Sequence, residues 1–153
     1  MKIIIVSFGK ENDDNVAVAV TDFTSRLSRW VDIEWKILPA SKDEGDKGRS
    51  DEASALMRFI DDSDTLVALD ERGKKMSTQS FSDFFDRMMT SSEKRIVFIV
   101  GGSHGLHKDV ISRADITLSL SDMTLPHQLV RLVLIEQIYR AFSILKGSKY
   151  HHI

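Results

Sequence analysis

Three stretches hold most of the residues able to do chemistry. The first is Gly101-Gly102-Ser103-His104-Gly105, directly after the apolar run Ile96-Val97-Phe98-Ile99-Val100. The second is Leu118-Ser119-Leu120-Ser121-Asp122-Met123-Thr124-Leu125-Pro126-His127-Gln128, which joins a short strand to the longest helical stretch of the chain. Strand-to-helix junctions of α/β proteins aim backbone N–H groups at ligands. Pro126 suits the first turn of that helix, because its φ is already helical and its missing N–H has no partner there. The residues before it must then form a tight polar loop. The third stretch is the tail Tyr150-His151-His152-Ile153. An aromatic ring can stack on a base, and an imidazole can move a proton near neutrality. Two of the stretches also have a plain reading: the glycine loop as a tight turn without a ligand, the tail as a frayed end.

Several chemistries are excluded. The chain has no cysteine, so it has no disulfide, thiolate metal site or cysteine nucleophile. The glycine loop matches neither GxGxxG nor a P-loop. His104 and His107 are three apart but lack a neighbouring carboxylate at ligand spacing, so no metal is expected. No G-x-S-x-G elbow accompanies the serines. Glu136 and Arg140, four apart, read as a helix ion pair, and Tyr139 as an interface residue.

The elements that must position these residues follow from periodicity. Residues 2–8 are an almost continuous apolar run, as in a strand buried on both faces. Asn12, Asp13 and Asp14 can cap a helix whose inner face is Val16, Val20, Phe23, Leu27 and Trp30. Residues 31–37 alternate strictly, which predicts a strand near an edge. Residues 41–52 carry eight charges in twelve positions. They read as a mobile surface loop, with a flap over a substrate as the second reading. Ser50 can cap a short helix after it. Thr65–Leu69 is a third strand running into Asp70-Glu71-Arg72-Gly73-Lys74, and Ser77 caps a helix with Phe81, Phe84, Phe85 and Met88 inward. Residues 96–100 form a fourth strand, 107–114 a short helix, and 116–120 a fifth strand. The last helix runs from about Pro126 to Leu145, with Gly147 as its stop.

Alternating strands and helices predict an α/β fold, an open and mainly parallel sheet with helices on both faces, over one domain spanning 1–153. Ligands in such sheets bind beyond the carboxyl ends of strands, here after Leu69, Val100 and Leu120. The last helix is apolar on most sides. Burial between the sheet and a second subunit explains that most simply, so a homodimer through this helix is expected.

The formal net charge of −2 does not announce a nucleic-acid binder, but its distribution is uneven. Residues 126–153 hold Arg131, Arg140, Lys146 and Lys149 against Glu136 alone, while residues 10–62 hold 13 acids against 8 bases. The N-terminus lacks the features of a signal peptide and no apolar run is long enough to span a membrane. A cytoplasmic location is expected.

Taken together, the blocks Leu69–Lys74, Phe98–Gly105, Leu118–Arg131 and Glu136–Ala141, with Tyr150-His151 at the end, resemble the ribosomal RNA large subunit methyltransferase H family. That family belongs to the SPOUT class. The resemblance implies a C-terminal trefoil knot and a homodimer. It implies transfer of a methyl group from S-adenosylmethionine to N3 of a pseudouridine in large-subunit (23S) ribosomal RNA, on the assembled ribosome. By motif it assigns cofactor binding to Leu69, Gly101 and Leu120, Ser121, Asp122, Met123, Thr124 and Leu125, to which Gly102 and Gly105 are added as neighbours. On that reading Tyr150 and His151 of the partner's tail are expected to line the target-base pocket, with His151 as proton acceptor and His127 as the rival base. Arg131, Arg140 and Lys149 are the expected phosphate contacts. The family usually has Arg or Lys after Tyr-His, where this chain has His152. The other readings are a non-catalytic ribosome- or RNA-binding module on the same fold, and a generic nucleotide-binding domain.

Overall fold

The structure, a computed structural model, describes residues 1–10 and 13–152. The expected capping role of Asn12 lies outside the described residues. Ten elements follow in order: β1 (Lys2–Phe8), α1 (Asp14–Leu27), β2 (Asp32–Leu38), α2 (Gly45–Met57), β3 (Thr65–Lys75), α3 (Thr78–Thr90), β4 (Arg95–Val100), α4 (Lys108–Arg113), β5 (Ile116–Ser119) and α5 (His127–Leu145). The five strands form one sheet in the order β2-β1-β4-β3-β5, and every pairing is parallel.

Alternation along the central strands divides the core. Ile3, Ile5, Ile96, Phe98 and Val100 face α1, α3 and α5, whereas Ile4, Val6, Val97 and Ile99 face α2 and α4. The first face is richer in rings. Phe85 lies 4.9 Å from Phe81 and 5.1 Å from Phe142, which joins α3 to α5. Each such ring removed from water contributes about 2 kcal/mol.

The helix signals act as their chemistry dictates. Asp13 caps α1 by accepting from the N–H groups of Asn15 and Val16. Ser77 caps α3 by accepting from the N–H of Ser80. Gly147, at φ +65°, ends α5: its N–H donates to Ile144 O, and that of Ser148 to Ser143 O. That pair of bonds is a Schellman motif.

Four expectations need correction. The charged stretch 41–52 is helical from Gly45 onward, because its charges pair along one turn, as Lys47 does with Asp43 at 3.1 Å. Strand β3 continues six residues past Leu69, since Lys74 and Lys75 pair with Leu118 and Ser119 after a bulge. Pro126 is the N-cap of α5, with an extended ψ of 143°, and the helix proper begins at His127. Finally, much of the cover assigned to a second subunit comes from α1 and α3, which flank α5 within one chain. Tyr139, expected at an interface, is buried in that intramolecular packing.

Candidate functional site

Parallel register lines up the three ligand-facing loops. Leu69 pairs with Val100 on one side and Leu118 on the other. Gly101 therefore sits one residue, and Leu120 two residues, beyond the level of Leu69 in the sheet. The glycine loop closes through the Gly105 N–H, which donates to Gly102 O at 3.1 Å. A Cβ on Gly101 would lie 3.0 Å from the Gly105 carbonyl carbon, so a side chain there would make the Gly105 backbone shift by a few tenths of an ångström. Gly105 has φ +79° and no heavy atom within 4 Å of its missing Cβ, which leaves the loop open on that side.

Helix α2 holds the loop from outside. Arg49 donates to the His104 carbonyl at 3.1 Å and pairs with Asp46. Three residues on, the Glu52 carboxylate lies 3.2 Å from where a Gly102 Cβ would be. Desolvation pushes the Glu52 carboxyl above its usual range, opposed by His104. His107 caps α4, its Nδ1 accepting from the Asp109 N–H at 3.1 Å.

The loop after β5 is also braced by its polar side chains. The Ser119 hydroxyl donates to Ser121 O, and the Met123 N–H donates to Ser121 Oγ, both at 2.9 Å. Lys75 reaches Asp122 at 2.6 Å, and the Thr124 hydroxyl donates to Glu71 at 3.2 Å. What remains for a ligand is backbone with Leu120, Met123 and Leu125; Met123 is 77% exposed. His127 opens α5 just beyond, half-buried.

The tail is docked, which removes the frayed-end reading for Tyr150 and His151. The Tyr150 ring meets Tyr139 at 4.8 Å and Phe23 at 6.4 Å. Its hydroxyl donates to Glu136 Oε1 at 3.1 Å, and Arg140 Nε donates to the same oxygen at 3.0 Å. Arg140 lies 4.7 Å above the Tyr150 ring, with Nη1 3.5 Å from His151 Nδ1. Gln137 donates to the other Glu136 oxygen at 2.7 Å and accepts from Thr78 at 2.9 Å. Glu136 is thus the hub of a network from α3 to the tail. Burial, then the Glu136 carboxylate, raises the Tyr150 phenol above its usual value.

A family model described as a predicted SPOUT methyltransferase matches residues 1–151. The chain belongs to the SPOUT methyltransferase family. Proteins named ribosomal RNA large subunit methyltransferase H are similar along its whole length. Those from Christiangramia forsetii and Clostridium kluyveri are 38% identical, and that from Bacteroides thetaiotaomicron 33%, with 99% of both chains covered in each case. Among solved structures, a probable methylase family protein from Haemophilus influenzae matches the fold with a TM-score of 0.61 at 13% identity, over 99% of this chain and 70% of its own.

In this SPOUT methyltransferase the candidate residues fall into two groups. Leu69, Gly101, Gly102, Gly105 and 120–125 share the sheet edge. Tyr150, His151 and Arg140 form the tail network, with exposed Lys149 preceding it. Arg131 belongs to neither, and its expected phosphate contact does not stand. It is 1% exposed and donates to Ser7 Oγ at 2.6 Å, Phe8 O at 3.0 Å and Gly9 O at 2.8 Å, clamping the end of β1. Its position on the stripe with Leu134, Ile135 and Ile138 was the available signal. Sequence reasoning missed Arg49 and Glu52 as loop supports and Glu136 as a hub. A cavity of about 490 Å³ lies apart from both groups, between α1 and β2, with Val20, Thr24, Ile33 and Trp35 in its wall. Among the described residues no cluster could hold a metal ion, and no helix is long and apolar enough to cross a membrane.

Proposed function

We infer that this SPOUT methyltransferase transfers a methyl group from S-adenosylmethionine to N3 of a pseudouridine in large-subunit ribosomal RNA, on the assembled ribosome in the cytoplasm. The observation that carries the reading is the full-length similarity to relatives named for that RNA. The glycine cradle supports it chemically. Backbone groups of 101–105 and 120–125 suit an adenosine-bearing ligand: Gly101 packs closely on the Gly105 backbone, and Gly105 faces open space. Leu69, Leu120 and Leu125 supply apolar walls. S-adenosylmethionine, when bound, supplies an electrophilic methyl group on a sulfonium.

The remaining work belongs to the protein. Alignment of donor and acceptor supplies most of the acceleration, because no metal or covalent intermediate is required. Tyr150 and His151 from the tail of a second copy line the acceptor-base pocket. His151 takes the proton leaving N3, and His127 is the rival for that role. The Tyr150 phenol, held protonated by burial and Glu136, acts as a surface for the base and not as a base itself. Arg140 and Lys149 meet phosphates. Exposed Leu129 and half-buried Val133 on α5 support homodimerisation. A trefoil knot at the C-terminal end belongs to the same reading and rests on membership of the SPOUT family.

The test is calorimetric titration with S-adenosylmethionine and, separately, ATP, followed by turnover of His151→Ala and His127→Ala. Saturable binding of the sulfonium alone is expected. Binding of ATP alone contradicts the cofactor assignment, and unimpaired turnover in His151→Ala moves the base to His127.

A further inference from the structure

Arg29 lies in the turn after α1, which the Trp30 and Val31 N–H groups close on Leu27 O. Its guanidinium carbon is 4.4 Å above the Trp30 ring, and Nη2 donates to the Tyr139 hydroxyl at 3.2 Å. Trp30 and Tyr139 stack at 5.3 Å and 16°, Tyr139 meets Tyr150 edge-on, and Arg140 covers Tyr150. The rings form a strip with a guanidinium at each end.

The ends differ in charge. Arg140 is bound by the Glu136 carboxylate. Arg29 is exposed and makes no ion pair with a carboxylate among the described residues. A cation held over an aromatic face loses little freedom when it takes up a phosphate, and the planar guanidinium fork matches two phosphate oxygens. With Arg131 buried and Arg140 paired, Arg29 is the uncompensated cation of this strip.

We propose that Arg29 is an RNA-contact residue, binding a backbone phosphate close to the base that the tail receives. This rests on the ribosomal RNA reading above. One neutralised phosphate carries a measurable signature: log K depends on log salt with a slope near −0.7 to −0.9 per contact.

The experiment measures binding of assembled large ribosomal subunits across salt concentrations for wild type, Arg29→Ala and Arg29→Lys. Cofactor calorimetry and thermal melts accompany it. In Arg29→Ala the salt slope is expected to fall by about one and affinity to drop about tenfold at low salt, with cofactor affinity unchanged. Arg29→Lys should restore the slope but not the full affinity, because it keeps the charge and loses the fork. An unchanged slope in folded Arg29→Ala overturns the proposal, and a lowered melting midpoint alone assigns Arg29 to packing. If wild type binds subunits but transfers no methyl group, the functional reading fails while the slope comparison still decides Arg29. If wild type does not bind subunits, both fail.

Discussion

At the C-terminal ends of β3, β4 and β5, the surface offered to a ligand is backbone, and charged side chains point back to brace it. Arg49 holds the His104 carbonyl, Lys75 holds Asp122, and Glu71 holds Thr124. On the tail face the roles reverse. Tyr150, Arg140 and His151 are themselves the chemistry, and what holds them is one carboxylate, Glu136, and a stack of rings. A site made of backbone is broken by adding atoms. A site made of side chains is broken by removing one charge.

Breaking the first region should give the largest effect. Gly101→Ala forces its methyl group to about 3.0 Å from Gly105, and the loop must move. Cofactor affinity should fall about a hundredfold with the fold retained, read by calorimetry beside a thermal melt. Gly105→Ala meets no protein atom within 4 Å, so its cost to the fold is that of its positive φ, about 1 kcal/mol of stability, and any loss of cofactor affinity beyond that reports contact with the ligand.

Arg131→Met separates architecture from RNA contact. Losing charged hydrogen bonds to Ser7, Phe8 and Gly9 should cost about 3 kcal/mol in urea denaturation, with the salt slope of subunit binding unchanged. A reduced slope would return Arg131 to the RNA contacts.

Glu136→Gln keeps the shape of the hub and removes its charge. Turnover should drop about tenfold, the worth of one charge-assisted bond, at unchanged cofactor affinity. The Tyr150 phenol should also titrate lower by ultraviolet absorbance, because one cause of its raised value is gone. Equal turnover in wild type and variant would show that the tail needs no hub.

The smallest effect is expected at Glu52. Its folded pKa is raised, chiefly by desolvation, so the native state holds the proton more tightly than the unfolded chain. Stability from this group is complete below the unfolded value of about 4.3 and is lost as pH rises through the folded value. Glu52→Gln should raise the melting midpoint near pH 8 and leave it unchanged near pH 4. A variant destabilised near pH 8 and unchanged near pH 4 would mean that the ionised carboxylate is paired.

The two regions also differ in how far they could be read from the chain. The frame of the backbone region was legible: apolar runs marked the strands, and glycine directly after Val100 marked a close approach of backbone to backbone. Ser77 and Gly147 placed helix ends by local chemistry. The tail network was not legible, because Arg29 and Tyr139 are 110 residues apart and no periodicity links them. The polar half of β3 escaped for a different reason. Asp70–Lys75 carries no apolar alternation, and its pairing with β5 is set by the backbone at Gly73. Arg131 misled because a charged residue on a helix reads as surface unless its three-residue and four-residue neighbours are weighed with it.

The most direct test of the account is transfer of labelled methyl from S-adenosylmethionine to assembled large ribosomal subunits, followed by mapping of the modified nucleotide. The expected result is one labelled pseudouridine per subunit, with label strongly reduced in Gly101→Ala at a cofactor concentration that just saturates the wild type. Label absent from the RNA, in a protein that binds both the cofactor and the subunit, would contradict it.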